Sequence, residues 1–267
     1  MRLSPLAAVV AALAVCGCAD LTEVTKFADK GSTALGKTQL PELETTLLAE
    51  RARIQPPQAG DAGLADDRAK AKLISSCVDA LTAYFKTLGR LADNKLVDVK
   101  DSTSKIGAAL QSSGVVSSAA AGPASALIKV LAEAPLDAWR RQAVARLIER
   151  ANDPVIALAH SLSDYAQAVA DQYATIRLVE RNHYGALLTD RSEPATRAVV
   201  EEIRDNRVAD ADAGRAKALA AKAVFDQIAK DQQGLYDRRG SIGHAELDAI
   251  LQQYQDDLDK ASALLPQ

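Results

Sequence analysis

The sequence predicts an all-α protein, an elongated antiparallel helical bundle organised around one long helical hairpin. Three observations predict it. Aromatic residues make up only 4% of the chain, with one Trp and one Met, while Ala and Leu are abundant, a composition suited to helices packed through small side chains. A seam with strict three-four spacing runs through Val155, Leu158, Leu162, Tyr165, Val169, Gln172, Ile176, Val179, His183 and Ala186. No stretch of β-branched residues alternates with the two-residue period of a strand.

Taken in order, the chain opens with Met1 and Arg2, then an apolar segment over 3–15. Such a segment falls short of the roughly 20 apolar residues that cross a bilayer as a stable helix, so it reads as a secretory leader. Two cysteines follow at its end, in Val15-Cys16-Gly17-Cys18.

This tetrapeptide resembles the lipobox of bacterial lipoproteins. The resemblance covers about the first twenty positions and implies cleavage before an acylated cysteine. Cys18 fits that role, because the small Gly17 precedes it, whereas Cys16 follows the bulkier Val15. The implied cofactor-like group is a covalent lipid of palmitate type on Cys18, and several acyl chains hold a protein to a membrane far more firmly than one. In Gram-negative lipoproteins an aspartate directly after the cysteine favours inner-membrane retention. Here that place is Ala19, so the resemblance implies an outer-membrane address facing the periplasm.

Three segments are expected: a removed signal peptide over 1–17, a lipidated N-terminus and flexible stalk with short helices over 18–63, and a helical bundle over 64–267. Gly31 and Gly36 interrupt helical spacing in the stalk, Pro41 opens a second short piece, and Pro56-Pro57 with two glycines closes it. Gly31-Ser32-Thr33-Ala34-Leu35-Gly36-Lys37-Thr38 satisfies G-x-x-x-x-G-K-[ST] at every position. A phosphate loop needs a buried strand that delivers it to a helix N-terminus, and residues 27–30 are no strand and no parallel-sheet pattern follows, so a nucleotide is not expected here.

In the body, a helix over 65–92 carries the seam Ile74, Cys77, Leu81, Tyr84, Leu88 and Leu91, which places Cys77 in the core as a small hydrophobe. Helices over 97–111, 123–133 and 136–151 follow. The last carries Arg140, Arg141, Arg146 and Arg150 and reads as a solvated face. Asp153-Pro154 resembles a capped helix start and opens the first arm of the hairpin. A short turn over 189–193 leads to the second arm, with the seam Val200, Ile203, Arg207, Asp210, Gly214, Ala218, Ala221, Phe225, Ile228 and Leu235. Gly214 and nearby aspartates leave a break over 206–214 open. A final helix over 241–264, capped by Ser241, packs through Leu247, Leu251, Tyr254, Leu258, Ala261 and Leu265.

Folding the hairpin about position 191 sets Gln172 opposite Asp210 and Arg207 opposite Thr175. This predicts a polar layer or ligand site built from Gln172, Arg207 and Asp210, with His183 further along the same seam. Glu180-Arg181-Asn182-His183 matches the E-x-x-H half-motif of di-iron bundles, but no second copy exists. No serine elbow or cysteine triad is present, and an enzyme is not favoured. With 32 basic and 35 acidic residues and a net charge of −3, the chain offers no nucleic-acid footprint. The leading expectation is a membrane-anchored periplasmic lipoprotein with a structural or scaffold role and an envelope protein partner. The alternative is a small-ligand-binding lipoprotein with a site between helices.

Overall fold

The computed structural model describes residues 21–54, 63–93, 100–112, 119–134, 140–188 and 193–265. Cys18 and the expected leader over 1–17 lie outside them. The described residues form eight α-helices: α1 (Thr22–Lys37), α2 (Leu40–Ile54), α3 (Gly63–Ala92), α4 (Lys100–Ser112), α5 (Ala121–Ala132), α6 (Arg140–Leu187), α7 (Pro194–Asp237) and α8 (Ala245–Ala263). A 3-10 turn, Arg239–Ser241, joins α7 to α8, and no strand occurs among the described residues. None of the described helices is long and apolar enough to cross a membrane.

The hairpin α6–α7 is the frame, and its arms of 48 and 44 residues extend about 72 and 66 Å at the rise of an α-helix. Its base sits in the main core. There Val144, Leu147, Ile148, Val155, Leu158 and Leu162 of α6 and Val224, Phe225, Ile228 and Leu235 of α7 are buried among α1, α3, α5 and α8. The α3 seam is buried at all six predicted positions. Cys77 is among them, its sulfur 3.9 Å from the Ala120 carbonyl, and burial pushes its thiol up to about 12.

Several expectations need correction. Pro154 does not start a helix but lies inside α6. Its missing N–H costs about 3 kcal/mol in a helix interior. The buried row Val144, Leu147, Ala151, Val155, Leu158 runs through it without a change of phase, so burial on both sides outweighs that cost. The question left open over 206–214 is resolved as continuous helix. The last helix begins at Ala245, with His244 rather than Ser241 at its cap, because Gly243 takes φ 79° and breaks the run.

The largest correction concerns 22–54, which is no flexible stalk. Leu21, Val24, Phe27, Ala28, Ala34, Leu35 and Leu40 belong to the main core. Phe27 meets Phe85 edge-on at 5.7 Å and Tyr254 at 6.2 Å. The Lys30 ammonium donates to Asp259 of α8 at 2.6 Å, and the Gln255 amide donates to Glu23 Oε2 at 3.1 Å. Gly31 is not a helix interruption but a packing contact, since a Cβ there would lie 2.5 Å from the Phe85 ring. The G-x-x-x-x-G-K-[ST] match therefore sits largely in regular helix, where Gly31, Ala34 and Leu35 are buried. Its backbone N–H groups do not form the exposed loop that cradles phosphates.

Candidate functional site

Gln39 carries φ 46°, an uncommon value for a residue with a side chain, and it turns the chain from α1 into α2. From that corner α2 lies along the middle of the hairpin and encloses a second, smaller core of Leu43, Leu47, Val169, Ala170, Tyr173, Ile176, Ala211 and Ala218. Gly214 is the residue that permits it. The Tyr173 ring lies flat against the Gly214 backbone, leaving no space for a Cβ, and its hydroxyl donates to the Leu43 carbonyl at 3.2 Å. Burial raises the Tyr173 phenol to about 12, with Glu50 and Glu44 adding to the shift, so it remains a donor at any physiological pH.

Charged residues then fix the far end of α2. Arg53 pairs with the buried carboxylate of Glu180 on α6 and with Glu50 one turn back at 2.8 Å. Glu50 also faces Arg207 of α7 at 3.6 Å. A buried carboxylate is costly without a cation, so the Arg53–Glu180 pair makes the seating of this end specific.

Two clefts flank this end of α2. One, of about 270 Å³, is lined by Leu43, Glu50, Tyr173, Arg207, Asp210 and Lys217, among others. The other, of about 350 Å³, is lined by Arg51, Ile54, Gln172, Thr175, Ile176 and Val179. The predicted polar layer is thus divided. Arg207 and Asp210 share the first cleft, the exposed Gln172 borders the second, and His183 lies apart, exposed, with its ring edge-on to Tyr184 at 5.1 Å.

The register explains the division. Arg177 pairs with Asp212 at 2.9 Å, and the Ser163 hydroxyl donates to Asp226 at 2.5 Å. These pairs centre the hairpin several residues later than 191, so Gln172 does not face Asp210. Arg207 answers Glu50 rather than Asp210. Glu180, read in the sequence as half of an E-x-x-H motif, is occupied by Arg53. Among the described residues no group of three His, Cys, Asp or Glu could hold a metal ion.

Three of the four arginines in the row on α6 are engaged with neighbouring elements, and Arg146 is exposed. Arg140 bonds the Ala92 carbonyl, Arg141 donates to the Gly240 carbonyl at 3.2 Å, and Arg150 pairs with Glu133. These contacts bind the base of α6 to α3, to the turn after α7 and to the end of α5.

From the level of the last turn of α2 toward the tip, apolar side chains of the hairpin are exposed. Leu178, Leu187 and Val199 are more than half exposed, and Val179 and Ile203 are 38% and 39% exposed. Five of the six exposed large apolar side chains among the described residues lie on this distal part, Leu264 being the sixth. Val179 and Ile203 fall on the three-four seams of their arms, and that is why the sequence alone assigned them to the core. No protein-family model matches this chain, and no match was found among curated proteins or solved structures.

Proposed function

We propose that the protein is a lipid-anchored envelope lipoprotein whose distal α6–α7 hairpin is a protein-interaction surface, giving it a scaffold role at the periplasmic face of the outer membrane. The observation that carries the reading is the concentration of exposed apolar side chains on the distal hairpin, while the base of the same helices is fully packed. Exposed apolar residues concentrated at one end of a hairpin support an interaction role there more than scattered ones do. Anchoring through Cys18 rests on the lipobox resemblance and places that surface in the envelope.

The small-ligand alternative draws on the cleft holding Arg207 and Asp210. It is the weaker reading, because Arg207 and Glu50 already face each other and Glu50 also serves Arg53. Crosslinking in intact cells followed by affinity purification tests the proposal. The wild-type chain should retain a discrete envelope protein, and the combined variant Leu178→Asp, Leu187→Asp, Ile203→Asp should lose it while remaining folded. Equal retention by both chains would refute the role of the distal hairpin.

A further inference from the structure

The cleft between α2 and α7 holds two opposite charges that the fold leaves unpaired. Along α7 it is lined by Arg207, Asp210, Gly214 and Lys217, which follow one another at spacings of three, four and three and so share one face of the helix. Arg207 faces Glu50 of α2 at 3.6 Å, and Tyr173, flat against Gly214, bonds the Leu43 carbonyl. α2 therefore runs antiparallel to α7, with Thr46 at the level of Asp210. The Arg207–Glu50 contact bounds one end of the cleft. Past it, neither the exposed Asp210 nor the half-buried Lys217 meets a partner among the described residues. The two are seven residues apart, about 10 Å along the helix axis. Only Ala211, Ala213 and Gly214 line the α7 side between them, so the space over that stretch stays open. The Thr46 hydroxyl donates to the Glu42 carbonyl at 3.0 Å, which leaves its oxygen free to accept a bond.

We infer that this cleft binds a small zwitterion of amino-acid or dipeptide size, its ammonium group at Asp210 and Thr46 and its carboxylate at Lys217. The inference goes beyond the scaffold role and does not depend on it. Charge balance is the first reason. Glu50 and Asp210 offset Arg207 and Lys217, so a ligand with net charge gains at one pole and loses at the other, whereas a zwitterion gains at both. Length is the second. One or two peptide residues of about 3.5 Å each, with a charge-assisted hydrogen bond of about 2.8 Å at either end, span roughly 9–13 Å, which brackets the separation of the two poles. Volume is the third, since about 270 Å³ lies just below the roughly 300–1,000 Å³ of pockets for larger ligands. Tyr173 and Ile176 give the floor an apolar surface for the ligand's carbon atoms. The Arg207–Glu50 contact, which weakens the cleft as a site at that end, leaves Asp210 and Lys217 untouched.

Isothermal titration calorimetry of the purified full chain with L-alanine and with L-alanyl-L-alanine tests the inference, the N-acetylated and C-amidated dipeptides serving as comparisons. The expected result is saturable one-to-one binding of at least one of the free zwitterions, with each capped form at least tenfold weaker than the free dipeptide if the dipeptide is the ligand, or not bound if the amino acid is. Asp210→Asn and Lys217→Gln should leave the melting temperature unchanged and should each weaken the free zwitterion at least tenfold. No saturable binding of either probe, capped forms bound as tightly as the free one, or variants that bind like the wild-type chain would each overturn the inference. None of these outcomes bears on the crosslinking of the distal hairpin, so the site and the interaction role fail separately.

Discussion

Gly214→Ala puts the register of the hairpin to a quantitative test. Within a helix, exchanging Gly for Ala contributes about 1 kcal/mol of stability by removing backbone freedom from the unfolded chain. At position 214 the new methyl group meets three carbons of the Tyr173 ring far inside van der Waals contact. That ring is held on its other side by its bond to the Leu43 carbonyl and by the α2 core, so it has little room to withdraw. Overpacking of this kind costs about 1–3 kcal/mol. The sum is a net loss of up to about 2 kcal/mol, a fall in melting temperature of several degrees for a chain of this size. Removing the ring should reverse the sign. In a Tyr173→Leu background the same Gly214→Ala change should stabilise, and the double-mutant coupling should be about 2 kcal/mol. The assay is thermal denaturation of the four chains followed by circular dichroism. If Gly214→Ala stabilises the wild-type chain, the close approach of Tyr173 to α7 is wrong.

Other outcomes follow from the same geometry. Arg53→Ala should cost about 3 kcal/mol, because it leaves the Glu180 carboxylate buried without its cation; Glu180→Gln should cost only about 1, because Arg53 is partly exposed and keeps Glu50. Hydrogen exchange of the α2 amides measures the difference. Burial raises the Asp231 carboxyl to about 7, so the folded chain holds a proton there that the unfolded chain releases near pH 4. The contribution of Asp231 to stability should accordingly be fully present below about pH 4 and be lost as pH rises through about 7. Asp231→Asn should flatten that slope in denaturant titrations across the range. Leu162→Asp, at a fully buried position, should unfold the chain, whereas Ile203→Asp should change its stability by less than about 0.5 kcal/mol.

Where the sequence was legible, the reason was burial on a single face. The α3 seam and the stretch of α6 from Val155 to Val169 combine helical spacing with continuous cover, and the spacing alone identified them. Tyr173 was missed in favour of Gln172 because both fit the period within one residue, and what selects between them is the empty Cβ position of Gly214 across the hairpin. Gly31 and Pro154 misled for a related reason. Each reads locally as a break, but Gly31 makes room for Phe85 and Pro154 lies within a face buried on either side of it. The distal hairpin was read as core because periodicity reveals which face of a helix is apolar and not where its cover ends. The ion pairs of Arg53 and Glu50 with Glu180 and Arg207 join positions far apart in the chain, and no local pattern announces them.

The proposed anchor at Cys18 decides whether the distal hairpin works in the envelope at all. Intact mass and fragmentation of the N-terminal peptide, taken from protein purified out of the membrane fraction, test it most directly. The expected result is a chain that begins at Cys18 and carries acyl groups there, with Cys18→Ser uncleaved or released from the membrane. A chain cleaved elsewhere, or an unmodified Cys18 in membrane-derived protein, would contradict it.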